Sequence, residues 1–146
     1  MFYRRPAKLT QWMNRALSWL AGLGLTPSDT VTVEVTGRLS GQTRANVVTS
    51  VEVGGLRYLV SPRGESEWVR NVRAAGGAAA IRRRGRRRVR LEEIPADQRP
   101  PILKAYLDKT WRATQQHIEV DRTAPVEEFA RIADRHPVFR IIEAEG

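Results

Sequence analysis

The stretch Gly37-Arg38-Leu39-Ser40-Gly41-Gln42-Thr43-Arg44 puts two glycines, a hydroxyl and two guanidinium groups into one tight turn, with Asn46 just beyond it. Glycine lets backbone N–H groups converge, and the arginine fork matches phosphate and carboxylate oxygens, so the turn is a candidate anion cradle. An ordinary hairpin needs the same residue types. A second stretch, Ser61-Pro62-Arg63-Gly64 followed by Glu67-Trp68-Val69-Arg70-Asn71, reads as a loop entering a helix, whose first N–H groups attract anions. Trp68, Val69, Val72 and Ala75 form the apolar side of that helix, and Asn71 lies on its Trp68 edge. An amide there needs a partner, either a loop carbonyl or a ligand.

The third stretch, Arg82 to Arg90, has seven arginines in nine positions. Strand alternation puts Arg86, Arg88 and Arg90 on one face, with Val89 and Leu91 on the other. Such a strand suits anionic lipid or nucleic acid, and equally a solvated edge guarded against aggregation. No RNP aromatic pair, zinc-finger spacing or clear recognition helix accompanies it, which leaves nucleic acid the weaker partner class. Covalent chemistry has little to work with. There is no cysteine, His117 and His136 are not in a two-histidine spacing, and Ser40, Ser50, Ser61 and Ser66 lack a nucleophile-elbow setting. Glu34, Glu52 and Glu65 read as solvated charges rather than a catalytic pair.

The elements that position these stretches follow from periodicity. Val31, Val33 and Val35 alternate with Thr32, Glu34 and Thr36 as a half-buried strand, and Gly37 to Gln42 turns the chain. Asn46 to Val53, the pair Gly54-Gly55 and Leu56 to Ser61 complete a three-strand meander. Ser66 caps a short helix from Glu67 to Ala75, ended by Gly76-Gly77. Ala78 to Ile94 forms a hairpin folded at Gly85, and Asp97 caps a helix running to about Ala113. Val126 to Arg135 reads as a further helix, and Val138 to Ile142 as the last strand. Strands in the middle and helices at the ends predict an α+β fold on an antiparallel sheet or small barrel.

Ahead of the strands, Leu9, Trp12, Met13, Ala16, Leu17 and Leu20 form one helical stripe, widened by Trp19 and Leu23 and flanked by Arg4, Arg5, Lys8 and Arg15. Residues 1–25 thus read as an amphipathic helix that packs on its own domain or lies on an anionic membrane surface. Polar residues interrupt the stripe too early for a spanning helix, so a cytoplasmic protein is expected, in the second case peripheral to the inner face of the plasma membrane. The 146 residues, 41% apolar and 28% charged, predict one domain. Residues 1–91 carry 17 Lys or Arg against 5 Asp or Glu, whereas residues 92–146 carry 8 against 11. The anion-attracting part is therefore the first two thirds, though a GC-rich genome also favours arginine.

Taken in order, Thr36 to Arg44, the hairpin into Ser61-Pro62-Arg63-Gly64, and Trp68-Val69-Arg70-Asn71-Val72-Arg73-Ala74 resemble the deazaflavin-dependent nitroreductase and quinone reductase family of actinobacteria. The likeness spans about residues 30–94, and His136-Pro137-Val138-Phe139 fits it as a last strand. It implies a split β-barrel of the FMN-binding type, with an N-terminal amphipathic helix and C-terminal helices. It also implies reduced deazaflavin coenzyme F-420, a hydride carrier with a phosphodiester and a polyglutamate tail; FMN is the alternative cofactor. By the same likeness Arg38, Ser40, Gly41, Arg44 and Asn46 would hold the anionic tail. Ser61, Arg63 and Gly64 would form the adjoining loop, and Trp68 and Asn71 the helix lining the cofactor site. The small-molecule acceptor would be a quinone, nitroaromatic or activated alkene. The resemblance departs in the last third, where Tyr106 is the one tyrosine available as a proton donor. Rival readings are a non-enzymatic module for anionic lipid or nucleic acid and a coenzyme carrier; the oligomeric state is left open.

Overall fold

A computed structural model describes residues 30–143. Six antiparallel strands, β1 (Thr30–Thr36), β2 (Thr43–Val53), β3 (Leu56–Val60), β4 (Ala78–Arg82), β5 (Arg86–Glu93) and β6 (Val138–Glu143), close into a barrel in the order β1-β2-β3-β6-β5-β4. This is the expected α+β class. The amphipathic stretch expected over residues 1–25 lies outside the described residues.

Two apolar layers hold the barrel. Its interior is filled by Val31, Val33 and Val35 of β1, with Leu59, Ile81, Val89, Leu91 and Phe139 from the other strands. The helix α1 (Glu67–Ala74) turns Trp68, Val69 and Val72 into that interior, a spacing that puts all three on one side. The second layer lies outside the barrel. There Val51, Val60 and Val138 meet Ile102, Leu103, Tyr106 and Leu107 of α2 (Pro100–Thr114), together with Phe129 of the short helix α3 (Val126–Phe129).

Local sequence fixes several junctions. Gly54 and Gly55 both have positive φ (60° and 82°), as a two-residue hairpin of the type I′ kind requires, and the register Val53↔Leu56 follows. Ser66 stands at the N-cap of α1 with extended backbone, yet its hydroxyl makes no cap bond and instead meets the Ser61 hydroxyl at 3.1 Å.

The structure departs from the sequence expectations at four places. Asp97 does not cap the long helix; it sits in a separate 3-10 turn (Ala96–Gln98), and α2 begins at Pro100-Pro101, where proline loses no intrahelical bond. The helix expected over Val126–Arg135 is broken into α3 and a 3-10 turn (Ala133–Arg135), with Ile132 between them outside helical geometry at φ −117° and ψ 5°. The arginine strand β5 is no edge, since it pairs with β4 on one side and β6 on the other. Glu34 is not solvated either. It is 9% exposed and receives bonds from Arg86 Nε (2.7 Å) and Arg82 Nε (3.0 Å). Burial pushes its carboxyl up, and the hydrogen bonds from Arg86 and Arg82 outweigh this, holding it below the usual carboxylate range.

Candidate functional site

The β1–β2 turn is closed by backbone bonds from Gly37 N–H to the Gln42 carbonyl (2.7 Å) and from Gly41 N–H to the Gly37 carbonyl (2.8 Å). Gly41 has φ 75°, a conformation that side chains resist. The Ser40 hydroxyl accepts from the Gln42 N–H at 3.2 Å. Beyond the turn, Arg44 and Asn46 stand two residues apart on β2 and so share a face.

Asn71 joins this turn to α1. Its Oδ1 accepts from the Arg38 backbone N–H at 3.1 Å and from Arg38 Nη1 at 2.8 Å. Two donors on one oxygen fix the orientation of the amide, which leaves the Nδ2 donors on its other side. Among the described residues Nδ2 has no partner, although Asn71 is only 5% exposed. Arg38 Nη1 also reaches Glu67 Oε1 at 3.1 Å. That bond, reinforced by the charge of Arg38, holds the Glu67 carboxyl below its ordinary range.

Between turn and helix opens a cleft of about 380 Å³, walled by Arg38, Leu39, Ser40, Arg44, Asn46 and Asn71 and joined by Glu67. Five of the sequence-derived site residues meet there. Gly41 shapes the turn without lining the cleft. Sequence reasoning missed Glu67 and Leu39. Glu67 precedes Asn71 by four residues, a spacing that puts both on one helix face and could have revealed it. Leu39 is an apolar side chain 87% exposed at the cleft wall.

The Ser61 loop runs into α1 at the same end of the molecule. Ser61 is buried, donating from Oγ to the Gly64 carbonyl at 2.6 Å, while Gly64 has φ 82° and Arg63 is exposed. Its hydroxyl therefore holds the loop together. His136 backs the loop, with Nδ1 3.3 Å from the Ser61 carbonyl, which requires the Nδ1–H tautomer.

Burial pushes the His136 imidazole below its ordinary value of 6.5. The unfolded chain then binds the proton more readily than the folded one. Stability is complete above about pH 6.5 and falls as pH drops from there toward the lowered folded value. Thermal melts between pH 7.5 and 5 should show this slope, and His136→Gln should flatten it. Equal slopes for the two proteins would assign the acid sensitivity elsewhere.

Like Gly41, the loop residues Ser61, Arg63 and Gly64 do not line the cleft, and neither do the two remaining sequence-derived residues, the aromatic Trp68 and Tyr106. Trp68 is 6% exposed in the barrel interior, its ring 5.7 Å from that of Phe139. Tyr106 is 3% exposed in the layer beneath α2, and burial pushes its hydroxyl pKa up. A phenol sealed from solvent reaches no substrate, so Tyr106 is a packing residue rather than a proton donor.

A family model described as F420H(2)-dependent quinone reductase matches residues 7–128. Among solved structures, the chain is similar to protein Atu2129 of Agrobacterium tumefaciens, with 14% identity and a TM-score of 0.54 over 80% of this chain and 49% of that one. It is similar to ChuZ of Campylobacter jejuni at 11% identity and a TM-score of 0.52, covering 97% of this chain and 55% of that one. It is also similar to Rv2991 of Mycobacterium tuberculosis at 15% identity and a TM-score of 0.51, covering 98% and 82%. The chain spans about half the length of the first two proteins, and at these identities the likeness is one of fold. No curated protein matches the chain.

Proposed function

The chain belongs to the F420H(2)-dependent quinone reductase family, and from that premise we propose that the cleft between the β1–β2 turn and α1 binds reduced coenzyme F-420 for the reduction of a quinone-class acceptor. One observation carries this reading: Asn71 spends its oxygen on Arg38 and keeps its amide donors for the cleft. Those donors are open to the cleft rather than sealed in the protein, so an acceptor-bearing ligand can take them in place of water. Arg38 and Arg44 supply the positive charge that a phosphodiester and carboxylate tail requires. When bound, the coenzyme supplies a hydride. The chain itself contributes binding and orientation: the turn and α1 grip the anionic portion, and exposed Leu39 offers apolar cover for a flat ring.

Titration with coenzyme F-420 beside FMN tests the assignment. Saturable deazaflavin binding is expected, and Arg38→Ala and Arg44→Ala should each weaken it by about 1.5–3 kcal/mol, the range for a hydrogen bond to a charged group. Absence of saturable binding would sink the proposal, and preference for FMN would replace the cofactor. Turnover with a soluble quinone, a nitroaromatic and an activated alkene then separates an enzyme from a coenzyme carrier and identifies the acceptor class.

Peripheral contact with an anionic membrane is the second part of the reading. Among the described residues no helix is long and apolar enough to cross a membrane. On one barrel face the register sets Ala78, Ala80 and Arg82 opposite Arg90, Arg88 and Arg86. Arg82 and Arg86 are tied to Glu34, and Arg87 to Glu143. The side chains of Arg83, Arg84, Arg88 and Arg90 have no partner among the described residues. Basic side chains near anionic headgroups contribute about 1 kcal/mol each. The double substitution Arg88→Glu/Arg90→Glu should therefore release the protein from phosphatidylglycerol vesicles at low salt. Vesicle binding unchanged by the reversal would rule out this face as the contact.

A further inference from the structure

Glu67 is a carboxylate inside a basic cleft, and nothing in the proposed binding role requires it there. It occupies the first position of α1, one turn ahead of Asn71 on the same face. Its Oε1 holds Arg38 Nη1 at 3.1 Å, and its Oε2 lies 3.9 Å from Arg70 Nη1. The Arg38 side chain is 23% exposed, whereas that of Glu67 is 72% exposed. The half of this pair that can move is thus the carboxylate.

We infer that Glu67 is a resident competitor for Arg38 Nη1, which a ligand taking that nitrogen displaces and which makes the cleft select polyanions over single charges. The inference rests on the anion-binding reading of the preceding subsection. A monoanion that takes the place of Glu67 exchanges one carboxylate–guanidinium contact for another and still loses its freedom on binding. A polyanion gains what Glu67 cannot reach alone, namely simultaneous contact with Arg44 and the Asn71 amide. Displacement itself costs little, because an exposed ion pair contributes little to stability. The released carboxylate also has somewhere to go. Arg70 stands three residues along the helix as an alternative partner, and the helix N-terminus favours a negative charge.

The test is a thermodynamic cycle read with inorganic pyrophosphate and followed by nuclear magnetic resonance titration. Glu67→Gln keeps the length of the side chain and a carbonyl for Arg38 but removes the charge. It should bind pyrophosphate about two- to five-fold more tightly than the parent, the range set by an exposed ion pair. In an Arg38→Gln background the same change should bring no gain, because there is no longer a guanidinium to release. Failure of Glu67→Gln to tighten binding overturns the inference. A gain that persists in full without Arg38 overturns it too, since Glu67 would then act through its field and not by holding Arg38. If the Arg38 variant fails to fold, Glu67→Asp decides: it keeps the charge but shortens the reach, and tighter binding supports the inference while unchanged binding overturns it. Titration of the parent with coenzyme F-420 is separate. A parent that takes pyrophosphate with the full cycle but ignores the deazaflavin would refute the coenzyme assignment and leave the role of Glu67 standing.

Discussion

Replacing Asn71 with aspartate is expected to leave the domain folded and to weaken coenzyme F-420 binding by about 100-fold. The carboxylate of Asn71→Asp can still accept from the Arg38 N–H and guanidinium, the two bonds that Oδ1 makes in the parent at 3.1 and 2.8 Å. What it loses is the pair of Nδ2 donors, and what it adds is a negative charge in a cleft proposed for anions. A hydrogen bond to a charged acceptor is worth about 1.5–3 kcal/mol, and like-charge repulsion adds to that loss. Asn71→Ala should lose affinity as well, but by a different route, because it also unties the β1–β2 turn from α1. Melting curves and coenzyme titrations on both variants separate the two contributions. An Asn71→Asp variant that binds as tightly as the parent would show that the amide donors face no ligand.

The largest expected stability change is at Arg99. This residue is 7% exposed, and its guanidinium donates to the Ile94 carbonyl at 2.7 Å, the Ala133 carbonyl at 2.9 Å and Glu93 at 3.2 Å. It clamps the exit of β5 to the turn that leads through His136 and Pro137 into β6. The same segment receives the Ser61 N–H at the Pro137 carbonyl, 3.0 Å away. Arg99→Met keeps most of the volume but strands the Ile94 and Ala133 carbonyls without that donor, while Glu93 keeps its two bonds from Arg73. Leaving a buried acceptor without its donor typically costs about 1–3 kcal/mol, and two carbonyls lose theirs here. Tm should fall by roughly 10 °C or more, taking about 2–8 °C per kcal/mol for domains of this range of sizes. Urea unfolding that registers a loss below about 1 kcal/mol would mean that water replaces the guanidinium and that Arg99 is not the clamp described.

The strands were legible because their cause is local. Alternation of Val31, Val33 and Val35, the glycine pair at 54 and 55 and the glycine at 85 each act within a few residues, and β1, the β2–β3 hairpin and the β4–β5 hairpin stand where periodicity puts them. The turn from Gly37 to Gln42 was legible for the same reason, and with it the basic character of the cleft wall. Side-chain partners were not, because they are set by register and closure over tens of residues. Sequence leaves Glu34 a solvated charge until closure brings Arg82 and Arg86 to it from 48 and 52 residues away. It leaves Asn71 between a loop carbonyl and a ligand, and the fold supplies both a backbone N–H and a guanidinium 33 residues away.

Tyr106 and Trp68 make the same point from the other side. Their types suit a site, and their helical positions also suit a core; only the packing of α2 on the outside of the barrel and of α1 into its interior decides. The amino-acid sequence by itself thus determined the strands, the turns and the sign of the charge near the cleft, because backbone preference and composition are local or additive. Barrel closure decided which arginines are neutralised, which amide keeps free donors and which aromatic rings are sealed away, because those outcomes depend on contacts that exist only once distant segments meet.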